Sequence, residues 1–514
     1  MRHFILAHDL GTTGNKATLF SDEGKLLASA FSGYETSHPQ PTWAEQDPTD
    51  WWRAVIDTTH QLLTGATVSP DEVAVVSFSG QMMGCLPVDV RGRPLRRCII
   101  WADQRAVEQA AYLAEKVGEQ EVYQLTGHRI SPTYSCAKIL WVREHEPDVF
   151  TAAHKILHVK DYIAQRMTGA FVTDRSDASG MNLYHLEAGK WSEAILDAMQ
   201  LDERLLPTVH ESTDVIGELT RAAAEELGLQ VGTPVVIGGG DGASAAVGAG
   251  AVMEGPAYNY IGSSSWISFA SQHPIFDPGR RIFNWAHMVP GMFLPCGTMQ
   301  AAGGSYQWLR RQVCWFESQQ AEQSGDDVYE LMNRRAAESV PGAHGLLFLP
   351  YLQGERSPHW NPKARGGFVG LQITHTRADM IRAVLEGVSM NLRTILQSFL
   401  DAGARVDEVT LIGGGAKGQL WRQILADVFG RPVLRPRLLD EATSLGAAVA
   451  GGVGIGLLPD FSVVKQIIEI VDRQVPDPQA QAEYDRMYPI FLAAYEQLLP
   501  VFDQLHALNA AQPT

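Results

Sequence analysis

The chain has 514 residues, 45% apolar and 19% charged, a composition that excludes a disordered or fibrous polymer. That length exceeds what one core supports, so two or more domains are expected. The net charge of −17 excludes the basic footprint that nucleic acid or an anionic membrane requires, although backbone donors and a metal ion can still meet the phosphates of a nucleotide.

The N-terminal half opens with three predicted strands, Phe4–Leu10, Lys16–Phe20 and Leu26–Phe31, with Asp22-Glu23-Gly24 as the second turn. Asp47-Pro48 starts a helix, because Asp caps well and Pro suits the first helical position. Its expected apolar stripe is Trp52, Val55, Ile56, Thr59 and Leu63. Val73–Ser79 reads as a buried strand that runs into Gly80-Gln81-Met82-Met83-Gly84. Val235–Ile237 is a second buried strand, followed by Gly238-Gly239-Gly240-Asp241 and a helix of small residues. The strand-turn-strand pattern restarts at Tyr258, a weak internal repeat that places a boundary near residues 245–255. The expected organisation is a domain over 1–248, a second over 249–500 and a tail over 501–514.

Downstream, Met380–Leu400 carries a helical stripe, with its start at Thr376 or the residues just after it. Val409–Ile412 is a strand that runs into Gly413-Gly414-Gly415, and a helix follows from Gly418. Strands alternating with helices give an α/β fold. Cys85, Cys98, Cys136, Cys296 and Cys314 form no C-x-x-C pair, so neither a disulfide framework nor a zinc site is expected and a reduced cytoplasmic setting fits. Only Phe4–Ala7 is apolar at the start, which argues against a signal peptide. The run Leu445–Leu458 is too short for a membrane span of ~20 residues.

Four short segments can carry chemistry. Asp9 precedes Gly11-Thr12-Thr13-Gly14, a turn whose N–H groups and hydroxyls can meet phosphate while the carboxylate holds Mg²⁺ through water. Alone it also reads as a hairpin with a capping Asp. Asp241 follows three glycines and precedes a helix, where an anion is favoured and stays ionised; exposed in a cleft, it can take a hydroxyl proton, or it can simply cap the helix. Gly262-Ser263-Ser264-Ser265 offers a second phosphate turn or a tight hairpin. Gly413-Gly414-Gly415 offers bare backbone to a nucleoside or a tight strand-to-helix connection. None is a Walker or Rossmann motif. Their order across two halves suggests a cleft that moves phosphate between two ligands. His154 and His158, four apart, lack an evident third ligand and read as surface or helix-packing residues. Trp51, Trp52 and Trp141 read as core, and Arg91, Arg93, Arg96 and Arg97 as a solvated loop.

The string Asp9–Gly14, with Gly80-Gln81-Met82, Trp101-Ala102-Asp103-Gln104-Arg105, Ser135–Trp141, Asp174–Gly180, Gly238–Asp241, Tyr351–Pro358, Gly367–Leu371 and Gly413–Ala416, resembles the FGGY carbohydrate kinases, and within them the xylulokinase-like branch. The resemblance implies two ribonuclease-H-like domains of the actin and hexokinase superfamily flanking a central catalytic cleft. It implies Asp241 as catalytic base, Asp9 as the acid of the first phosphate motif, Gly11, Thr12, Thr13, Gly262, Ser263 and Ser264 around the ATP phosphates, and Gly414 and Gly415 against the nucleoside. Gln81, Met82, Met83 and Asp103 would line the sugar pocket. Xylulokinases usually have His where Met83 stands and Asn where Gly242 stands, so this pocket would discriminate hydroxyls differently.

The expected activity is ATP- and Mg²⁺-dependent phosphorylation of a sugar hydroxyl, with D-xylulose giving xylulose 5-phosphate as the first substrate. Ribulose, a polyol, gluconate and a furanone-type signalling sugar are alternatives, and a non-metabolic actin-like ATPase is a remote one. The expected partners are the small-molecule sugar and ATP, with neither nucleic acid nor membrane; a homodimer is compatible.

Overall fold

The computed structural model describes residues 3–66 and 68–510. Two seven-stranded sheets repeat one topology. In the first, β1 (Phe4–Leu10), β2 (Gly14–Ser21) and β3 (Leu26–Gly33) form an antiparallel meander. Helix α1 (Pro48–Ala66) then returns the chain so that β4 (Val73–Gly80) lies parallel to β1. Parallel neighbours need such a crossover, because a two-residue turn can only reverse direction. Antiparallel β5 (Val215–Glu218) closes the edge beyond β6 (Pro234–Val236), which is parallel to β4, and β7 (Gly239–Gly240) also pairs with β4.

The second sheet repeats the scheme. Its meander is β8 (Gly255–Ile261), β9 (Ser265–Phe269) and β11 (Phe293–Met299), with β10 (Phe283–Ala286) outside it. Parallel β12 (Val406–Ile412) and β13 (Val433–Pro436) follow on the other side of β8, and antiparallel β14 (Ile470–Gln474) closes that edge. The long helix α4 (Arg377–Asp401) starts at Thr376, whose N–H donates to Asp379 Oδ2 at 2.7 Å, one half of a capping box. Strands β1 and β4 read as near-continuous apolar runs because both faces are covered, whereas edge strand β3 alternates buried and exposed.

Helix α1 forms where Asp47-Pro48 predicts it, but its buried face is Trp51, Trp52, Val55, Thr58, Thr59 and Leu62. The expected stripe is rotated by about one residue, and Ile56 and Leu63 are only half-buried. The final helix Pro478–Ala510 runs unbroken through residue 500, so no structural boundary falls there; residues 511–514 of the expected tail lie outside the described residues.

The sequence gives no hint that α6 (Ala442–Gly454), from the second half of the chain, packs on the first sheet. A Cβ at Gly451 would meet Ser77, Ile5 and Val75. The same helix crosses α2 (Asp241–Gly248) at backbone distance. A Cβ at Gly248 would lie 1.8 Å from Ala442 O, and one at Gly446 would lie 2.0 Å from Ser244 O. The small residues after Asp241 therefore serve a close helix crossing between the two lobes.

Replacing Gly248 or Gly446 by Val forces these helices apart and is expected to cost about 1–3 kcal/mol or more, the range for overpacking a filled core. Gly65 lies within α1 with nothing near its missing Cβ, and G65A is expected to stabilise by about 0.5–1 kcal/mol. Urea denaturation of the three variants checks both signs.

Candidate active site

Sheet register assembles the first part of the site. Leu10 pairs with Gly80, and Gly80 with Gly240, so three neighbouring strands end together. The segments that leave those ends carry Asp9 with the first turn, Gln81 to Met83, and Asp241. The carboxyl ends of adjacent parallel strands are where open α/β sheets bind ligands. In the second sheet Tyr260 pairs with Ile412, which brings the Gly262 turn beside Gly413.

Asp9 lies close enough to Asp241 to perturb it. The Asp241 carboxyl is pushed up to about 7, first by burial and then by the charge of Asp9, against one backbone N–H from Gly242 at 2.7 Å. Burial pushes Asp9 up to about 6, while the Ser79 hydroxyl and Lys16 pull it down. This corrects the expectation that a helix N-terminus keeps Asp241 ionised. Desolvation plus a like charge outweigh the helix dipole here, and half-buried Asp241 is the first residue of α2, with Gly240 in the cap position. From the other lobe, Tyr260 lies within electrostatic reach of Asp9, Asp241 and Asp440, and Tyr258 Oη donates to Gly242 O at 2.7 Å. The two acids thus face the second lobe.

Both glycine turns present free donors. The first is closed by Gly11 N–H to Gly14 O at 3.1 Å, and the Gly11 carbonyl accepts from Tyr34 Oη at 2.5 Å. Thr12 Oγ1 accepts from Trp101 Nε1 at 2.8 Å, and Gln46 Nε2 donates to the Thr12 carbonyl at 2.6 Å. The second is closed by Gly262 N–H to Ser264 O at 2.9 Å. Among the described residues the N–H groups of Thr12, Thr13, Ser263 and Ser264 donate to nothing, and Thr13 and Ser263 are exposed. Converging free backbone donors make an anion cradle. Gly413 adopts φ +82°, which favours glycine, and a Cβ at Gly415 would strike Ile261 at 2.5 Å. Gly414 is exposed, with nothing within 4 Å of a Cβ. Gly413 and Gly415 therefore pack the corner, and Gly414 is the bare surface.

The four expected sugar-pocket residues separate. Met82 packs on Gly240, where a Cβ would lie 2.6 Å from its sulfur, and Met83 takes φ +63° with its carbonyl held by Lys138 Nζ at 2.8 Å. Gln81 is buried, and its amide nitrogen donates to Gln46 Oε1 at 2.8 Å and Gly11 O at 3.2 Å. Asp103 is a correction. It is 0% exposed, and both oxygens are engaged: Arg105 bonds each of them, and Ala44 N–H donates to Oδ2 at 2.6 Å. Its carboxylate is committed to these donors and has no exposure to solvent.

His154 is exposed and His158 is buried, in keeping with surface and packing roles. His154 lies just before the strand Lys155–Leu157, and His158 caps the next helix, so they do not share a helical turn. His158 does gather Asp161 and Asp177, but Lys160 Nζ lies 2.7 Å from Asp161, 3.0 Å from Asp174 and 3.3 Å from Asp177, so the group carries its own cation. Arg96 is no solvated loop residue: its side chain is 9% exposed and pairs with Glu45 and Glu146.

Sequence reasoning missed three contributors. Lys16 pairs across the hairpin with Asp9, and its Nζ reaches the Asp440 carbonyl in the second lobe at 2.7 Å. A lysine inside an otherwise buried strand is the signal. Gly303 and Gly304 open helix α3 (Gly303–Gln312), and their N–H groups donate to the Gly262 and Ser263 carbonyls at 3.0 and 2.9 Å. A Gly-Gly-Ser step after a strand is the signal. Lys417, beside Gly414, lies 3.3 Å from Asp440.

Two lobes of one repeated topology, closing on paired acids and two free-donor turns, define a phosphotransferase with the mixed α/β fold of the actin and hexokinase-like superfamily. Residues 4–248 match the N-terminal domain of the FGGY family of carbohydrate kinases, and residues 257–455 match its C-terminal domain. The chain belongs to that family and is a sugar kinase that uses ATP. Among its relatives, the Escherichia coli K12 xylulose kinase is 33% identical over 495 residues, covering 96% of this chain and 99% of the relative. The Bacillus licheniformis gluconokinase is 33% identical over 498 residues, covering 96% and 95%. The structure of gluconate kinase from Lactobacillus acidophilus superposes with a TM-score of 0.90 at 26% identity, covering 98% of this chain and 100% of that one. Among the described residues no helix is long and apolar enough to cross a membrane.

The raised Asp241 carboxyl sets a pH test on the protein without ligand. Its folded value, about 7, lies above the ordinary 3.8, so the folded state holds the proton more tightly. The resulting stabilisation is full below about pH 4 and is lost as pH rises through 7. D241N, neutral throughout, is therefore expected to gain in melting temperature relative to the parent between pH 5 and pH 8. An unchanged difference across that range would contradict the burial argument.

Proposed function

We propose that this chain transfers the γ-phosphate of ATP to a hydroxyl of a ketopentose, D-xylulose in the first instance, giving xylulose 5-phosphate. The observation that carries the reading is the Asp241 carboxyl, raised to about 7 beside Asp9 at the joint end of three strands. A base whose pKa lies near the working pH combines a large ionised fraction with a strong pull on the proton. Asp241 takes the sugar hydroxyl proton as its oxygen attacks phosphorus. The free N–H groups of Thr12, Thr13, Ser263 and Ser264 hold the phosphate oxygens, and Lys16 adds a positive charge next to Asp9. Gly414, with Gly415 packed beside it, offers its bare surface to the nucleoside, and Gln81, Met82 and Met83 lie toward the sugar.

Adjacent carboxylates destabilised by burial and like charge are hard oxygen donors that suit a divalent cation, and Asp9 would hold Mg²⁺ through water. Once bound, the ion supplies neutralisation of phosphate charge. Closure of the lobes excludes water, which limits wasteful hydrolysis of ATP.

A sugar acid such as gluconate is a second reading with its own support. Arg356 lies beside Tyr134 and Cys296, and Tyr134 bonds His128, whose ring packs 4.3 Å from Trp285. A Cβ at Gly180 would meet both Met82 and Trp285, which links this group to the sugar pocket. Glu355 lies within electrostatic reach of the Arg356 guanidinium, but among the described residues no ion pair joins them, and Arg356 Nε has no hydrogen-bond partner. A substrate carboxylate would complete it.

ADP release measured with D-xylulose, ribulose, polyols, gluconate and a furanone-type sugar separates these readings. Turnover without any sugar would favour the actin-like ATPase. With the accepted sugar, D241N is expected to lose about 10²–10⁴-fold in kcat, with the KM for ATP nearly unchanged. The parent rate is expected to fall as pH drops below about 7, because Asp241 is then protonated. Full turnover in D241N would defeat the assignment.

A further inference from the structure

The strand that delivers Asp241 is too short to aim it unaided: β7 is two glycines. What fixes it lies behind the site. Gly240 N–H donates to Ser176 Oγ at 2.9 Å, and Ser176 Oγ donates to Asp174 Oδ2 at 2.5 Å. On the other side, Gly238 N–H donates to the Ser212 carbonyl at 3.1 Å, and Ser212 Oγ donates to the same Asp174 Oδ2 at 2.7 Å. One carboxylate oxygen thus gathers two serines, each of which holds one glycine of the Gly238–Gly240 segment. The other oxygen, Asp174 Oδ1, lies 3.0 Å from Lys160 Nζ, which keeps the carboxylate paired in a site that excludes water. Asp174, Ser176, Ser212 and Lys160 are all buried. The fit is tight, because a Cβ at Gly239 would come within 3.0 Å of Ser176 Oγ, and one at Gly240 within 2.6 Å of Met82.

We infer that Ser176 and Asp174 are positioning residues for the phosphoryl-transfer step. Their buried clamp fixes the Gly238–Gly240 backbone and so the direction in which Asp241 leaves it. The inference rests on the reading of Asp241 as base. Neither clamp residue touches substrate; an error of about 1 Å in a reacting group suffices to cost a large part of its rate.

The test compares S176A with S179A in the full-length kinase, using its accepted sugar and ATP. Ser179 lies one turn away and is as buried; its Oγ donates to Ser176 O at 2.6 Å and accepts from Ala286 N–H, not from the catalytic segment. Removing Ser176 Oγ is expected to lower kcat at least tenfold while the KM for ATP stays within twofold. S179A is expected to lower the melting temperature by a similar amount but keep kcat within twofold. S212A, which loosens only one arm, is expected to fall between them. Parental kcat in S176A overturns the inference, as does an equal loss in S179A, which would mean that general destabilisation explains the effect. D241N, assayed alongside, keeps the two claims apart: full activity there sinks the base assignment, whereas a dead D241N with a fully active S176A sinks only the clamp.

Discussion

Two carboxylates share one poorly solvated sheet end, and much of the rest of the structure makes that arrangement tolerable. Asp9 and Asp241 each sit above their ordinary carboxyl range, because burial disfavours both charges and the charge of Asp9 disfavours that of Asp241 further. Such a pair is costly in the absence of cations. It is useful where a cation and a phosphate chain arrive together and a hydroxyl proton must be taken near neutral pH. Lys16, paired across the hairpin with Asp9, supplies a fixed part of the compensation.

The scaffold holds the pair by two different means. Asp9 sits on a conventional strand with a full ladder to β2 and β4. Asp241 hangs from a two-residue strand, fixed behind by Asp174 through Ser176 and Ser212 and continued by α2 in front. Helix α2 crosses α6 with backbone nearly touching backbone at Gly248 and Gly446. Asp241 therefore sits at the junction of the buried clamp, the first sheet and the interlobe helix crossing.

Much of this was legible beforehand. The meanders, the strands ending in glycine, the helix beginning at Asp47-Pro48 and the long helix starting at Thr376 all follow from turn chemistry, capping and periodicity, which are local effects. The glycine turns were legible for the same reason, and the order of motifs carried the family. Other features depend on partners that the local pattern does not show. Asp103 is held by Ala44 from a distant segment as well as by nearby Arg105, and Arg96 belongs to Glu45 and Glu146. The stripe of α1 slipped by one residue because the choice between Trp51 and Ile56 depends on what packs against the helix.

The sequence by itself determined an α/β chain of two repeated halves, with acid-bearing glycine turns at strand ends, because backbone sterics and hydrophobic period act over a few residues. Tertiary structure alone decided that Asp241 is held near pH 7 instead of fully ionised, that Asp174 grips its strand from behind, and that a helix from the second half lies on the first sheet. Desolvation, charge proximity and helix crossings are sums over groups that only the folded chain brings together, so no window of sequence contains them.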